Sequence, residues 1–149
     1  MTREEVGQLL GNVPAIMVRI TQLYNSNSFS HPPTKDELYD ITRWAWTVSA
    51  ERAQNAHLII GVAKDAKTGV GSVVSAYEIS KCDIVGNVLQ PVTRLGDPEV
   101  ANDLSENERV AFEGTPVSGT LQSSLIGRTV GEWFLDGHNH PLPFEYFNC

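Results

Sequence analysis

Cysteine is scarce in this chain. Its two residues, Cys82 and Cys149, lie far apart and fit no CxxC pattern, which excludes a disulfide-stapled scaffold and the common zinc spacings. Positive charge is short as well. Eleven Lys+Arg face 18 Asp+Glu, for a net charge of −7 and a pI near 5.0. Non-specific affinity for a phosphate backbone comes from clustered cations that release counterions, so a long nucleic-acid tract is a poor partner for this composition. No apolar run approaches the ~20 residues of a membrane span, and no secretory apolar core is visible near the start. These absences point to a cytoplasmic, reducing setting with free thiols and no membrane partner. Repeats and low-complexity tracts are missing. So are the common catalytic signatures: no Ser or Cys stands in a GxSxG elbow, and "GVGS" at 69–72 lacks the lysine and the strand-to-helix context of a phosphate loop.

What remains, at 149 residues and 16.4 kDa, is enough chain for one domain with a real core. Residues 1–12, "MTREEVGQLLGN", carry Val6, Leu9 and Leu10 at weak spacing and read as a short helix or an N-terminal arm. Ala15 to Tyr24 alternates as a strand with Ile16, Val18 and Ile20 facing inward. After the turn-forming "NSNSFSHPP", Thr34 with Glu37 three residues on makes a capping box for a helix running to Trp46. Ser49 is positioned to cap a second short helix with Arg52 at its exposed end. His57–Ala63 and Gly71–Ile79 flank a hairpin loop at Asp65–Gly69, further strands are expected at Ile84–Thr93 and Arg109–Gly114, and "GDPEVANDLSENE" reads as solvated loop. "SSLIGRTVGEWF" has near-helical spacing, and "PLPFEYFNC" reads as a terminal strand. The fold class is therefore α+β.

Two of the chain's three tryptophans crowd one cation in "DITRWAW". At about 100° per residue, Leu38, Ile41, Thr42 and Ala45 share one arc, with Tyr39 and Trp46 along its edge, while Asp40, Arg43 and Trp44 point elsewhere. The plain account has Trp46 closing the core, Trp44 packing on a loop or subunit, and Arg43 anchored to Asp40. The functional account has Arg43 and a tryptophan lining a pocket, because a guanidinium stacks on rings and binds phosphate with two parallel donors.

Other clusters carry less. "GHNHP" holds His138 and His140 at i,i+2, a spacing able to clasp a metal with Asp136 or Cys149, but it reads more simply as a polar loop, and no metal site is assigned. Glu78, Asp40 and Glu132 are carboxylates available to an enzyme, with no persuasive pair among them. No catalytic residue and no cofactor are assigned.

Several segments in order, "MVRITQLYN", "ELYDITRWAWTVSAERAQNAHLIIGVA", "YEIS", "FEGTPV", "LIGRTVGEWF" and "NHPLPFEYFNC", resemble a family of small bacterial and phage proteins with the motifs ELYxxTRxxW and NPxxYxNC. The matching positions are Tyr39, Thr42, Arg43, Trp46, Arg52, Ala56, Tyr77, Ile79, Ile126, Gly127, Val130, Tyr146, Asn148 and Cys149. Trp44 departs where a small residue is expected, and the terminal motif is stretched by His140 and by Leu142-Pro143. The resemblance implies a PUA-like domain related to EVE, YTH and ASCH domains, a curved, mostly antiparallel pseudobarrel with one or two covering helices and a small pocket for a nucleobase or modified nucleotide. It implies host cytoplasm if the protein is phage-encoded, where it would suit sequestration of a nucleotide immune signal.

The expectation is thus non-catalytic binding of a nucleotide or modified nucleobase, with Arg43, Trp44, Trp46, Arg52, Tyr77 and Asn148 as candidate ligand contacts and modified nucleic acid as a further partner. An ASCH-like hydrolase or nuclease, and a purely structural interaction protein, are the alternatives. The terminal Asn148-Cys149 pair also reads as a plug whose amide fixes a loop. An exposed Trp44 and an apolar N-terminal arm imply a homo-oligomer, since large apolar surface is usually covered.

Overall fold

The computed structural model describes residues 1–25, 33–44, 46–86 and 109–149, with backbone alone at 84–86. Local hydrogen bonding fixes the first elements. Thr2 accepts from the Glu5 N–H and the Glu5 carboxylate accepts from the Thr2 N–H, a capping box that starts α1 (Arg3–Leu10). Val6 and Leu10, one helical turn apart, are buried in the core. Within residues 1–12 the chain therefore forms a helix, Arg3–Leu10, docked through Val6 and Leu10.

β1 (Ala15–Arg19) is shorter than the strand expected over 15–24, because from Thr21 the chain winds into a single helical turn, α2 (Thr21–Tyr24). The Thr21 hydroxyl accepts the Lys64 N–H at 3.0 Å, and the Asn25 amide donates to the carbonyls of Thr21 and Lys64. Nor does β1 have one inward face. Ala15 and Met17 join one core layer while Ile16, Val18 and Ile20 join the other, as required of a strand flanked by neighbours on both sides and covered on both faces.

α3 (Lys35–Arg43) begins at the expected box of Thr34 and Glu37. Thr34→Ala is expected to cost about 1 kcal/mol, read as a drop of roughly 2–4 °C in thermal melting. The helix stops at Arg43 instead of Trp46. Trp44 is extended (φ −125°, ψ 142°), and Trp46 exchanges backbone hydrogen bonds with Val110 at 2.9 and 2.8 Å. A helical Trp46 could not make that bridge. Its indole N–H turns back to the Thr42 carbonyl at 2.8 Å, satisfying an acceptor that the helix end leaves open. Ser49 caps α4 (Ala50–Asn55) by accepting the Arg52 N–H.

The hairpin forms as its loop chemistry requires. β2 (Leu58–Lys64) and β3 (Gly71–Gly86) pair antiparallel across Asp65, whose carboxylate accepts from the Lys67 and Thr68 N–H groups, and Gly69 takes φ +73°. Of the strand expected at Ile84–Thr93, residues 84–86 are the end of β3 and the remainder lies outside the described residues, as does the loop at 96–108. β4 (Arg109–Pro116) follows. "SSLIGRTVGEWF" is not one helix: α5 (Gly119–Leu125) and α6 (Glu132–Leu135) are separated at Gly127, φ +85°, and residues 127–130 run along the edge of β3. β5 (Phe144–Phe147) is the expected terminal strand.

The five strands form one mixed sheet in the order β4-β3-β2-β1-β5, with β1 and β2 parallel and the other pairs antiparallel. The sheet is open, not closed as a pseudobarrel. More than two helices cover it: α1, α5 and α6 bury Val6, Leu10, Leu125 and Phe134 in the layer with Met17, Ile60 and Val73, while α3 and α4 bury Ile41 and Ala53 in the layer with Ile16, Ile59 and Phe112. No helix among the described residues is long and apolar enough to cross a membrane.

Candidate functional site

The β2–β3 register shifts where Val62 faces Val73 but Gly61 faces Ser75, leaving Val74 as an extra residue in β3. Such bulges bend a strand and interrupt its pairing. β3 also changes its outer partner at this point. On one side Val73 bonds to Gly127 and Arg128; on the other, Ala76 accepts from Val117 and Tyr77 pairs with Pro116. The residues around this change-over line a groove of about 480 Å³: Lys35, Asp36, Leu38 and Tyr39 of α3, Val74–Tyr77 of β3, Gly114, Pro116 and Val117 at the end of β4, and Gln122 and Ile126. Its size falls within the range of small-molecule sites.

Two tyrosines shape the groove. Their rings meet edge to face with centroids 5.0 Å apart. The Tyr39 hydroxyl accepts the Gly114 N–H at 3.0 Å, whereas among the described residues the Tyr77 hydroxyl has no hydrogen-bond partner. Burial, with smaller contributions from Tyr39 and Asp40, pushes Tyr77 up to about 12. The shift extends to higher pH the range over which it is a phenol and a donor, as any tyrosine is at neutral pH.

α3 is held close enough to shape this groove by a small-residue contact. The Thr42 hydroxyl donates to the Leu38 carbonyl at 2.7 Å and lies 2.8 Å from the Ser75 hydroxyl. Gly61 lies beneath them. A Cβ there would run into Ser75 Oγ and stand 3.0 Å from Thr42 Oγ1, so the helix approaches β2 as closely as it does because position 61 has no side chain.

Of the residues expected to bind ligand, Tyr77 lines the groove. Arg43 stands one layer behind it: Nε donates to Asp40 at 3.1 Å, the guanidinium lies 5.0 Å from the Tyr39 ring centroid and 5.3 Å from that of Trp44, and the side chain is only 16% exposed. Trp44, expected to be exposed, is buried at 7% against Ala111. The helical wheel fails for it because the helix has already ended. Its Nε1 has no hydrogen-bond partner among the described residues. Trp46 is core. Arg52 is exposed and lies away from the groove lining, 4.5 Å over the Tyr146 ring, whose hydroxyl accepts the Ser49 N–H. Asn148, at φ +60°, donates to the carbonyls of Gly11 and Val13 at 2.9 and 3.0 Å, tying the terminal strand to the turn after α1. With Trp44 and the N-terminal segment both covered within the chain, the apolar surface that implied a homo-oligomer is absent at those two places.

The remaining reactive groups do not converge. Burial pushes the Cys149 thiol up, outweighing nearby Arg52, and burial with Asp83 pushes up Cys82. His138 is exposed, while His140 turns inward, with Nδ1 donating to the Leu142 carbonyl at 2.6 Å and Nε2 3.1 Å from Glu145. No group of three His, Cys, Asp or Glu among the described residues is arranged to hold a metal. Asp40 pairs with Arg43, and Glu132 with Lys64 at 3.2 Å.

Tyr39, Gly114 and Gln122 are groove residues that the sequence did not single out as contacts. Tyr39 and Gly114 lie in segments that carry the resemblance, so a signal for them existed; nothing in the sequence marks Gln122. No protein-family model, curated protein or solved structure matches this chain.

Proposed function

We propose that the groove between α3 and α5 binds a small, flat ligand, a nucleotide or modified nucleobase, and does so without transforming it. The observation that carries this reading is the pair of tyrosines at a bulged strand, with the Tyr77 hydroxyl unpaired among the described residues and set beside apolar walls from Leu38, Val74, Val117 and Ile126. A ring lying against such aromatic surface gains about 1–3 kcal/mol. Arg43 supports the site from behind by holding the Tyr39 ring. Kinship with PUA-like domains belongs to the same proposal and is supported by the ordered motifs, with the open sheet as a difference from a closed pseudobarrel.

The test is a panel of nucleosides and nucleotides, scored for thermal melting and for recovery of each compound. A true ligand at a hundredfold excess over its Kd stabilises by about 2.7 kcal/mol, a rise of roughly 5–10 °C, and is recovered intact. Appearance of a hydrolysed product would favour the ASCH-like enzyme instead. No shift with any member would remove the groove as a nucleotide site.

A further inference from the structure

We infer that the groove recognises its ligand as an uncharged ring, through a hydrogen bond from the Tyr77 hydroxyl, and does not read phosphate. This rests on the binding function proposed above and narrows its ligand class to a free nucleobase or nucleoside.

Charge around the groove is the first support. Lys35 is the cation among its described lining residues, and Asp36 follows it in the same helical turn. The start of α3, which would otherwise attract an anion, is already occupied: Thr34 takes the Glu37 N–H, and Asp36 and Glu37 place two carboxylates in the first turn. A phosphate there would meet like charge. Arg43 offers no clamp, since it is not part of the groove lining: its Nε donates to Asp40 and its guanidinium lies over the Tyr39 and Trp44 rings, behind the tyrosine wall. The chain as a whole adds a net charge of −7.

The donor inventory is the second support. The Tyr77 phenol donates one hydrogen bond, and Tyr39, whose oxygen already accepts from Gly114, keeps its own proton to donate. Two neutral donors on rings that meet edge to face are the kind of group that carbonyl or ring-nitrogen acceptors of a base accept from. An unpaired donor beside a mostly apolar wall discriminates strongly, because a ligand without an acceptor leaves that donor unsatisfied.

The experiment is calorimetry with adenine, guanine, cytosine and uracil, each as free base, nucleoside, monophosphate and triphosphate, at low and high salt, on wild type and Tyr77→Phe. The expected result is binding that does not tighten as phosphates are added and hardly changes with salt, and that Tyr77→Phe weakens about three- to tenfold while melting stays at the wild-type value, since among the described residues the hydroxyl has no hydrogen-bond partner. Affinity that climbs from nucleoside to triphosphate and falls with salt would overturn this inference and leave the proposed function standing. Equal affinity of Tyr77→Phe and wild type would overturn it as well. Binding by no member of the panel would overturn both.

Discussion

Gly114→Ala is expected to cost about 3 kcal/mol, a fall of roughly 6–12 °C in melting temperature, and to abolish ligand binding in the groove. A Cβ at position 114 would be driven into the Glu78 carbonyl oxygen and would stand 3.0 Å from the Glu78 carbonyl carbon and 3.4 Å from Ile79 Cα. All three are backbone atoms of the neighbouring strand. No rotamer change relieves the contact, so either β4 or β3 must move. The pairing is already irregular there, with Ile79 opposite Gly114 but Lys81 opposite Glu113, and the Gly114 N–H holds the Tyr39 hydroxyl. Moving the strand therefore moves a wall of the groove. Gly7→Ala is the control. Position 7 lies inside α1 with nothing within 4 Å of a new Cβ, so alanine there should raise stability by about 0.5–1 kcal/mol. Equal melting of the Gly114→Ala variant and wild type would refute the close approach.

The contrast between these glycines also shows where the sequence is legible. Signals that act within a few residues can be read directly: the box of Thr34 and Glu37, the cap at Ser49 and the Asp65–Gly69 turn each depend on neighbours in the chain. What escapes is whatever distant pairing decides. β1 looked like a strand with one buried face because its alternation is real, but β2 and β5 flank it and helices cover both sides, so Met17 is as buried as Ile16. Trp44 followed the helical wheel only on paper, because the bridge from Trp46 to Val110 ends the helix before it. The groove is harder still. It exists because Val74 is the extra residue of a bulge and because Gly127 and Val117 bond to β3 on either side of it. Its lining comes from segments many tens of residues apart, which explains why Tyr77 could be named as a contact and Gln122 could not. Arg43, Arg52 and Asn148 drew notice as polar groups near aromatic or terminal motifs, and each has a partner within the chain, Arg43 the neighbouring Asp40, and Arg52 and Asn148 the distant Tyr146 ring and Gly11 carbonyl.

Arg43→Ala should lower stability by about 2 kcal/mol, since it removes stacking on two rings, worth about 0.5–1 kcal/mol each, and an ion pair worth at most about 1 kcal/mol at this exposure. Melting should then fall by roughly 4–8 °C. Affinity for a nucleoside should change by only about threefold, through loosening of the Tyr39 ring that the guanidinium covers. The carboxylate of Asp40, left without its partner, remains close enough to influence Tyr77, and that adds to the cost. Arg43→Lys separates the contributions. An ammonium group keeps the attraction to Asp40 but has no planar face to offer the Tyr39 and Trp44 rings, so lysine should recover the ion-pair share and leave more than half of the melting loss. Calorimetry and thermal melting on the three proteins decide the matter. A ten- to hundredfold loss of affinity in both variants at unchanged melting temperature would place Arg43 on the ligand instead of behind the tyrosine, and the crowding of tryptophans in "DITRWAW" would then belong to recognition. A fall in melting with nearly constant affinity makes that crowding what holds the end of α3 against β4, where Trp46 bridges Val110 and Trp44 covers Ala111.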